Sequence, residues 1–219
     1  MNKIDKEITN FYNGVRVKSG YIIHPYNIPV LKWINRLGID NKRILDMGCG
    51  GGAVLKELRT KSNSAELYGV DLSSKYLEQA KIGAINITYK QHNIEFMPFF
   101  KDKTFDIIIA HELFEHLKNP KKVVEECYRL LKDDGFLMIS LPWDLGLRLH
   151  GLINLEFRLF KDTSKKHGGH INNFGRYKKV KKLFKNYFEI IEYTTIRSQF
   201  TQLAIHRVYK LKKVQKINN

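Results

Sequence analysis

The chain has 219 residues and a mass of 25.7 kDa, with 43% hydrophobic and 27% charged residues. That balance suits one globular domain burying about 70% of its unfolded surface, and it excludes a disordered chain. Two cysteines in unlike contexts, Cys49 and Cys127, exclude a disulfide framework and a multi-cysteine zinc site, and fit a reducing cytoplasm. The polar opening residues carry both charge signs, unlike a secretory leader, and no apolar run approaches the length of a membrane span. The net charge is +16, and from residue 144 onward there are 17 basic and 5 acidic residues. Such an excess suits either an anionic partner or a solvated lysine-rich face.

Residues 1–21 give no clear pattern. Ile28 to Leu37 reads as a helix closed by Gly38. Arg43 to Met47 is a buried strand that runs into the glycines Gly48-Cys-Gly-Gly-Gly52. Ala53 to Arg59 follows as a helix with Val54, Leu55 and Leu58 on one face. Leu67 to Asp71 is a second strand, and Ser73 or Ser74 caps the next helix. Ile85 to Tyr89 and Phe105 to Ala110 are the third and fourth strands. Asn119 caps a long helix to about Leu131, and Asp134-Gly135 turns the chain into a fifth strand, Phe136 to Leu141. Strands alternating with helices imply a parallel sheet with right-handed crossovers.

The remainder differs. Residues 144–161 form an amphipathic helix with a broad apolar side and basic edges, either a lid over the site or a membrane-surface helix. Lys178 to Asn186 is a short lysine-rich helix. Phe188 to Thr194 and Gln202 to Leu211 are two strand-like runs expected to pair antiparallel at the sheet edge.

Strand, glycine loop and helix together make a cradle for a nucleotide-like ligand, because bare backbone admits close approach and the helix start offers amides. Gly48-x-Gly50-x-x-Ala53 also fits the dinucleotide fingerprint. Asp46 argues against that ligand. It stands two residues before the first glycine, where a carboxylate repels pyrophosphate and attracts a cationic group. Asp71 lies 19 residues after Gly52, at the place where a carboxylate accepts from ribose hydroxyls.

Ile44 to Gly52 resembles the first motif of class I S-adenosylmethionine (SAM)-dependent methyltransferases, and Val70-Asp71 the second. His92 to Phe99 resembles the third, with Asn93 where an acidic residue usually meets the adenine amine. Phe105 to Glu112 and Leu131 to Phe136 resemble the fourth-strand motif and the turn before strand five. The resemblance implies a Rossmann-like, doubly wound, seven-stranded, mostly parallel sheet with the last strand antiparallel. It implies SAM as cofactor, bound by Asp46, Gly48, Cys49, Gly50, Gly52, Asp71, Leu72, Asn93, Ile94 and His111. One domain over 1–219 is expected, with a cap (1–41), a SAM-binding core (42–141), a lid or insert (142–177) and a C-terminal helix and strand pair (178–219).

Catalytic candidates cluster after strand four: Glu112, Glu115 and His116, with His116 as the base for a hydroxyl acceptor. On a helical turn the three would share one face. Glu-x-x-Glu-His resembles the ubiquinone-biosynthesis O-methyltransferases, where these positions are linked to metal. Glu-His is also common here in methyltransferases without metal, and no metal is assigned. His24-Pro-Tyr-Asn27 departs from the Asn-Pro-x-Arg stretch of that branch, and His167-Gly-Gly-His170 reads as a lid loop. The leading expectation is a small-molecule methyltransferase acting on oxygen, with peripheral membrane contact through 144–161 as an option. The alternatives are an RNA methyltransferase using the basic C-terminal face and a non-catalytic SAM-binding protein. Nucleic acid is disfavoured, because neither an amino-methylation tetrapeptide nor an appended RNA-binding module is present.

Overall fold

The alternating apolar runs assemble into one seven-stranded sheet in a computed structural model that describes residues 23–143, 171–174, 177–197 and 204–214. The strands are β1 (Arg43–Met47), β2 (Glu66–Asp71), β3 (Ile87–Gln91), β4 (Phe105–His111), β5 (Leu131–Pro142), β6 (Phe188–Arg197) and β7 (Ala204–Lys213). Their order is β3-β2-β1-β4-β5-β7-β6. The first five strands pair in parallel, and β7 enters between β5 and β6 antiparallel to both. The expected terminal pair therefore forms, with β7 inside the sheet and β6 at its edge. The 144–161 helix and the His167–His170 loop lie outside the described residues.

Helices α1 (Asn27–Leu37), α2 (Ala53–Arg59), α3 (Ser74–Lys81), α4 (Pro120–Leu130) and α5 (Tyr177–Phe184) cover the sheet. Alternate strand residues supply its two cores. Leu45, Ile108, Leu137 and Ile139 face the side of α4 and α5, where Cys127 is fully buried. Ile44, Ile107, Ile109, Met138 and Val208 face α1 and α2.

Three boundaries depart from the pattern-based expectation. Asn86 adopts a left-handed φ of 54°, which turns the chain and delays β3 to Ile87; Ile85 stays 69% exposed. The fifth strand begins at Leu131, and its pairing jumps from Phe105–Leu131 to Ile107–Phe136, so Asp134-Gly135 sits within an irregularity of one strand. Asn119 makes no side-chain cap; its Nδ2 donates to Glu95 Oε1 at 3.1 Å, and Pro120 opens α4. Ser73 does cap α3, accepting the Tyr76 N–H at 3.2 Å.

Arg129 ties the segment after β3 to α4. Its guanidinium donates to both oxygens of the buried Glu126, to the carbonyls of Met97 and Phe100, and to Asp102. Glu126 in turn accepts the Met97 N–H at 2.7 Å. Arg129→Met would leave that buried carboxylate without its cation. Equilibrium unfolding in urea should show a loss of about 3 kcal/mol, a size typical of half-removed buried pairs.

Candidate active site

The carboxyl ends of parallel strands form the natural crevice of such a sheet. Here a cavity of about 340 Å³ opens there, lined by Gly48 and Gly50, by Asp71, Leu72 and Tyr76, by His92 to Glu95, and by Glu112, Leu113 and His116 to Asn119, with Lys122 beside them. Of the sequence-derived ligand-binding residues, Gly48, Gly50, Asp71, Leu72, Asn93 and Ile94 stand on its wall.

The glycine loop is shaped by two constraints. Gly50 has φ +50°, and a Cβ there would project into open space, so the bare backbone is what leaves room beside the cavity. Gly52 has φ +73° at the start of α2, and a Cβ would run into the Tyr89 hydroxyl and lie 3.1 Å from Ala80 Cβ. Asp71 fixes the loop to the end of β2. Its Oδ2 accepts the Gly50 N–H at 2.8 Å and its Oδ1 the Ser73 N–H at 2.8 Å. Burial raises its pKa, and those amide bonds oppose the rise.

Asp46 lies beneath the loop, 4% exposed. Burial, reinforced by the Asp71 charge, pushes its pKa up to about 8. The Cys49 thiol is buried and raised well above its usual range, chiefly by burial; its Sγ lies 2.8 Å from where a Gly69 Cβ would stand. Cys49 therefore packs under the loop with its side chain off the cavity wall. Asn93 Oδ1 accepts the Glu95 N–H at 2.8 Å, which holds the side chain in a local turn at the cavity.

The three catalytic candidates do not share one helical face. A 3₁₀ turn spans only Phe114–His116, and Glu112 precedes it with φ +45°. Glu112 Oε1 accepts from Ser140 Oγ at 2.7 Å, and Oε2 lies 3.1 Å from His206 Nε2. His116 lines the cavity, with Nε2 3.9 Å from the buried Glu115 Oε1. The backbone of Glu115 is pinned from outside: its carbonyl accepts the N–H groups of Ile171 and Asn172 at 2.7 and 2.9 Å. Both Glu112 oxygens have protein neighbours, and among the described residues no group of three His, Cys, Asp or Glu is placed to hold an ion.

His111 sits on the α1 side of the sheet end with both ring nitrogens out of water. Burial drives its pKa down to about 4, against the pull of Glu112, so it is neutral at pH 7. Its ring lies 5.9 Å from that of Tyr26, which is 5.0 Å from His206. Tyr26, Ser140 and His206 carry no motif that marks them from sequence; topology alone assembles them.

Asp46 sets a stability prediction. Its pKa is raised in the folded state, so the fold binds this proton more tightly than the unfolded chain does. Stability falls as pH rises from about 4 to about 8, by up to about 1.4 kcal/mol per pH unit. Asp46→Asn should therefore unfold at a higher temperature than the parent at pH 8, and the gap should close near pH 4. Gly52→Ala should lower the melting temperature at every pH.

Residues 45–139 match the family model described as "Methyltransferase domain". The ubiquinone biosynthesis O-methyltransferase of Paracidovorax citrulli is 32% identical over 124 residues, 54% of this chain and 51% of that protein. The chain thus spans about half the length of the curated relatives it matches. A Pyrococcus horikoshii OT3 structure aligns with a TM-score of 0.68 at 20% identity, over 94% of this chain and 99% of the other. Magnesium protoporphyrin IX methyltransferase from Synechocystis PCC 6803, solved with bound S-adenosylhomocysteine (SAH), aligns with a TM-score of 0.63 at 18% identity, over 96% and 87%. Residues 45–139 thus carry the sequence features of a methyltransferase domain, on a sheet that shares the fold of these two structures.

Proposed function

We propose that the protein transfers a methyl group from SAM to an oxygen of a small-molecule acceptor. One observation carries the donor half of this reading: Asp71, hydrogen-bonded to the glycine loop, faces a cavity whose floor is Gly48 and Gly50. A carboxylate has about four lone-pair sites, and the backbone amides at Asp71 leave room for a ribose hydroxyl. Bound SAM would supply a methyl group on a sulfonium, an already good leaving group.

The cavity suits that donor over a dinucleotide because the Asp71 carboxyl group stands on its wall beside Gly48 and Gly50, where a pyrophosphate would have to lie. Gly48, Gly50, Leu72, Asn93 and Ile94 would hold the donor along its length. Glu112 and His116 line the same cavity, with Glu115 Oε1 3.9 Å from His116 Nε2, and on this reading the acceptor binds on their side. An acceptor held there is aligned by these groups and shielded from water, and alignment is the larger part of the acceleration for such a displacement. The ubiquinone-biosynthesis relatives support an oxygen acceptor, and they do so over about half their length.

Calorimetry with SAM, SAH and NADH tests the donor. SAM and SAH should bind, and NADH should not. Asp71→Ala should weaken SAM at least about tenfold, the loss of one or two hydrogen bonds to a charged acceptor. Uptake of NADH with no response to SAM would overturn the reading. Transfer of labelled methyl from SAM to hydroxyl-bearing metabolites, with the product bond located by mass spectrometry, tests the acceptor atom.

A further inference from the structure

Part of the positive charge that the sequence concentrates after residue 144 has a definite seat in the fold. Residues 171–187 hold five lysines and one arginine and no acid. Helix α5 divides those lysines by its period. Lys179 and Lys182, three apart, line a groove of about 490 Å³ against α4, with Asn186 beyond them, Asn172 and Asn173 before the helix, and Lys121 of α4. Lys178, Lys181 and Lys185 take no part in that lining. No acidic side chain lines the groove among the described residues. Lys121 Nζ is 3.8 Å from Glu125 Oε1, which also accepts from the Tyr187 hydroxyl at 2.9 Å. Lys179 Nζ donates to the Asn173 carbonyl at 3.1 Å, and neither Lys179 nor Lys182 has a carboxylate partner among the described residues.

The groove shares a wall with the cavity. The N–H groups of Ile171 and Asn172 donate to the Glu115 carbonyl, and the Asn172 side-chain amide donates to the carbonyls of Phe114 and Leu117. Asn172 lines the groove, while Leu117 and Lys118 line the cavity. The first turn of α4 continues that wall, with Lys121 on the groove and Lys122 on the cavity. Lys122 Nζ is 3.7 Å from Glu95 Oε2, and Lys118 has no carboxylate partner among the described residues. Ammonium groups are compact point charges, and several of them reward a group that carries several negative oxygens. A phosphate or diphosphate has that chemistry. A hollow between two helices takes a discrete group of this kind, whereas a bilayer meets a flat or convex face.

We propose that the groove between α4 and α5 is a subsite for the phosphate or diphosphate group of the methyl acceptor, held by Lys121, Lys179 and Lys182. The inference rests on the methyl-transfer reading above and adds the acceptor's class, a small phosphorylated hydroxyl compound. Its phosphate sits in the groove and its hydroxyl enters the cavity on the side of Lys118. Lys118 and Lys122 extend the positive field from the groove to the cavity and draw the anion toward both.

The test uses the full chain and calorimetry at low salt, with inorganic pyrophosphate and SAH as probes. Pyrophosphate should bind, and more weakly as salt is added. The triple variant Lys121→Gln, Lys179→Gln, Lys182→Gln should weaken it at least about tenfold. A second triple variant, Lys178→Gln, Lys181→Gln, Lys185→Gln, removes the same charge away from the groove and should weaken it less than about threefold. Both variants should bind SAH as the parent does. Equal losses in the two variants, or no pyrophosphate bound by the parent, overturn the subsite. Binding of single-stranded RNA or of phosphatidylglycerol vesicles in place of pyrophosphate overturns it too. Labelled SAM is then offered sugar phosphates and nucleoside monophosphates, and the same compounds after alkaline phosphatase. Label should enter the untreated compounds. Equal or greater transfer to the dephosphorylated ones, or none to either, overturns the acceptor assignment. Pyrophosphate bound by a parent that ignores SAH overturns the methyl-transfer reading instead.

Discussion

Asp71 spends both carboxylate oxygens on backbone, one on the glycine loop and one on the cap of α3. That double bond of amides to one side chain fixes where the loop sits relative to β2, and every other feature of the cavity is measured from it. Without it, the loop after β1 would have orphan amides beside a buried carboxyl group, and the bare backbone of Gly50 would have no defined position. Asp46 is the cost of this arrangement. A second carboxyl group is buried under the same loop, and the fold tolerates it by keeping its proton up to about pH 8. A core built for stability alone would put an apolar side chain there.

The central part of the fold was legible because its signals are local. β1 and α2 fall where the pattern puts them, since a buried apolar run, a glycine cluster and a helical stripe each announce themselves within ten residues. Gly48, Gly50, Asp71, Leu72, Asn93 and Ile94, singled out from the same run of motifs, line one cavity. Boundaries moved where backbone geometry overrode hydrophobic pattern: Asn86 turning left-handed before β3, and the irregularity between Leu131 and Phe136.

The surroundings of Glu112 were less legible because nothing local encodes them. Glu112, Glu115 and His116 read as one helical face by spacing, yet the helix there is a single 3₁₀ turn, and Glu112 leaves it to meet Ser140 and His206. Those partners lie 28 and 94 positions away in sequence. Tyr26 comes from the other end of the chain, where His24-Pro-Tyr-Asn27 reads only as a departure from a familiar pattern. Asn27 explains that stretch: its side chain closes a turn on the His24 N–H and delivers the ring above His206.

The placement of β7 is what makes this convergence available. Had the last two strands been added in sequence order, β6 would pair with β5 and His206 would sit at the outer edge. Insertion of β7 between them reverses one strand and sets its first residues against the carboxyl end of β5. A parallel strand at that position would point its start toward the opposite edge of the sheet, away from the crevice. The antiparallel strand therefore brings His206, near its beginning, against Glu112 at the end of β4. Three elements distant in sequence, the turn before α1, the end of β4 and the start of β7, then enclose one carboxylate whose backbone is strained. Strain of that kind is retained where the position of the group matters more than its energy.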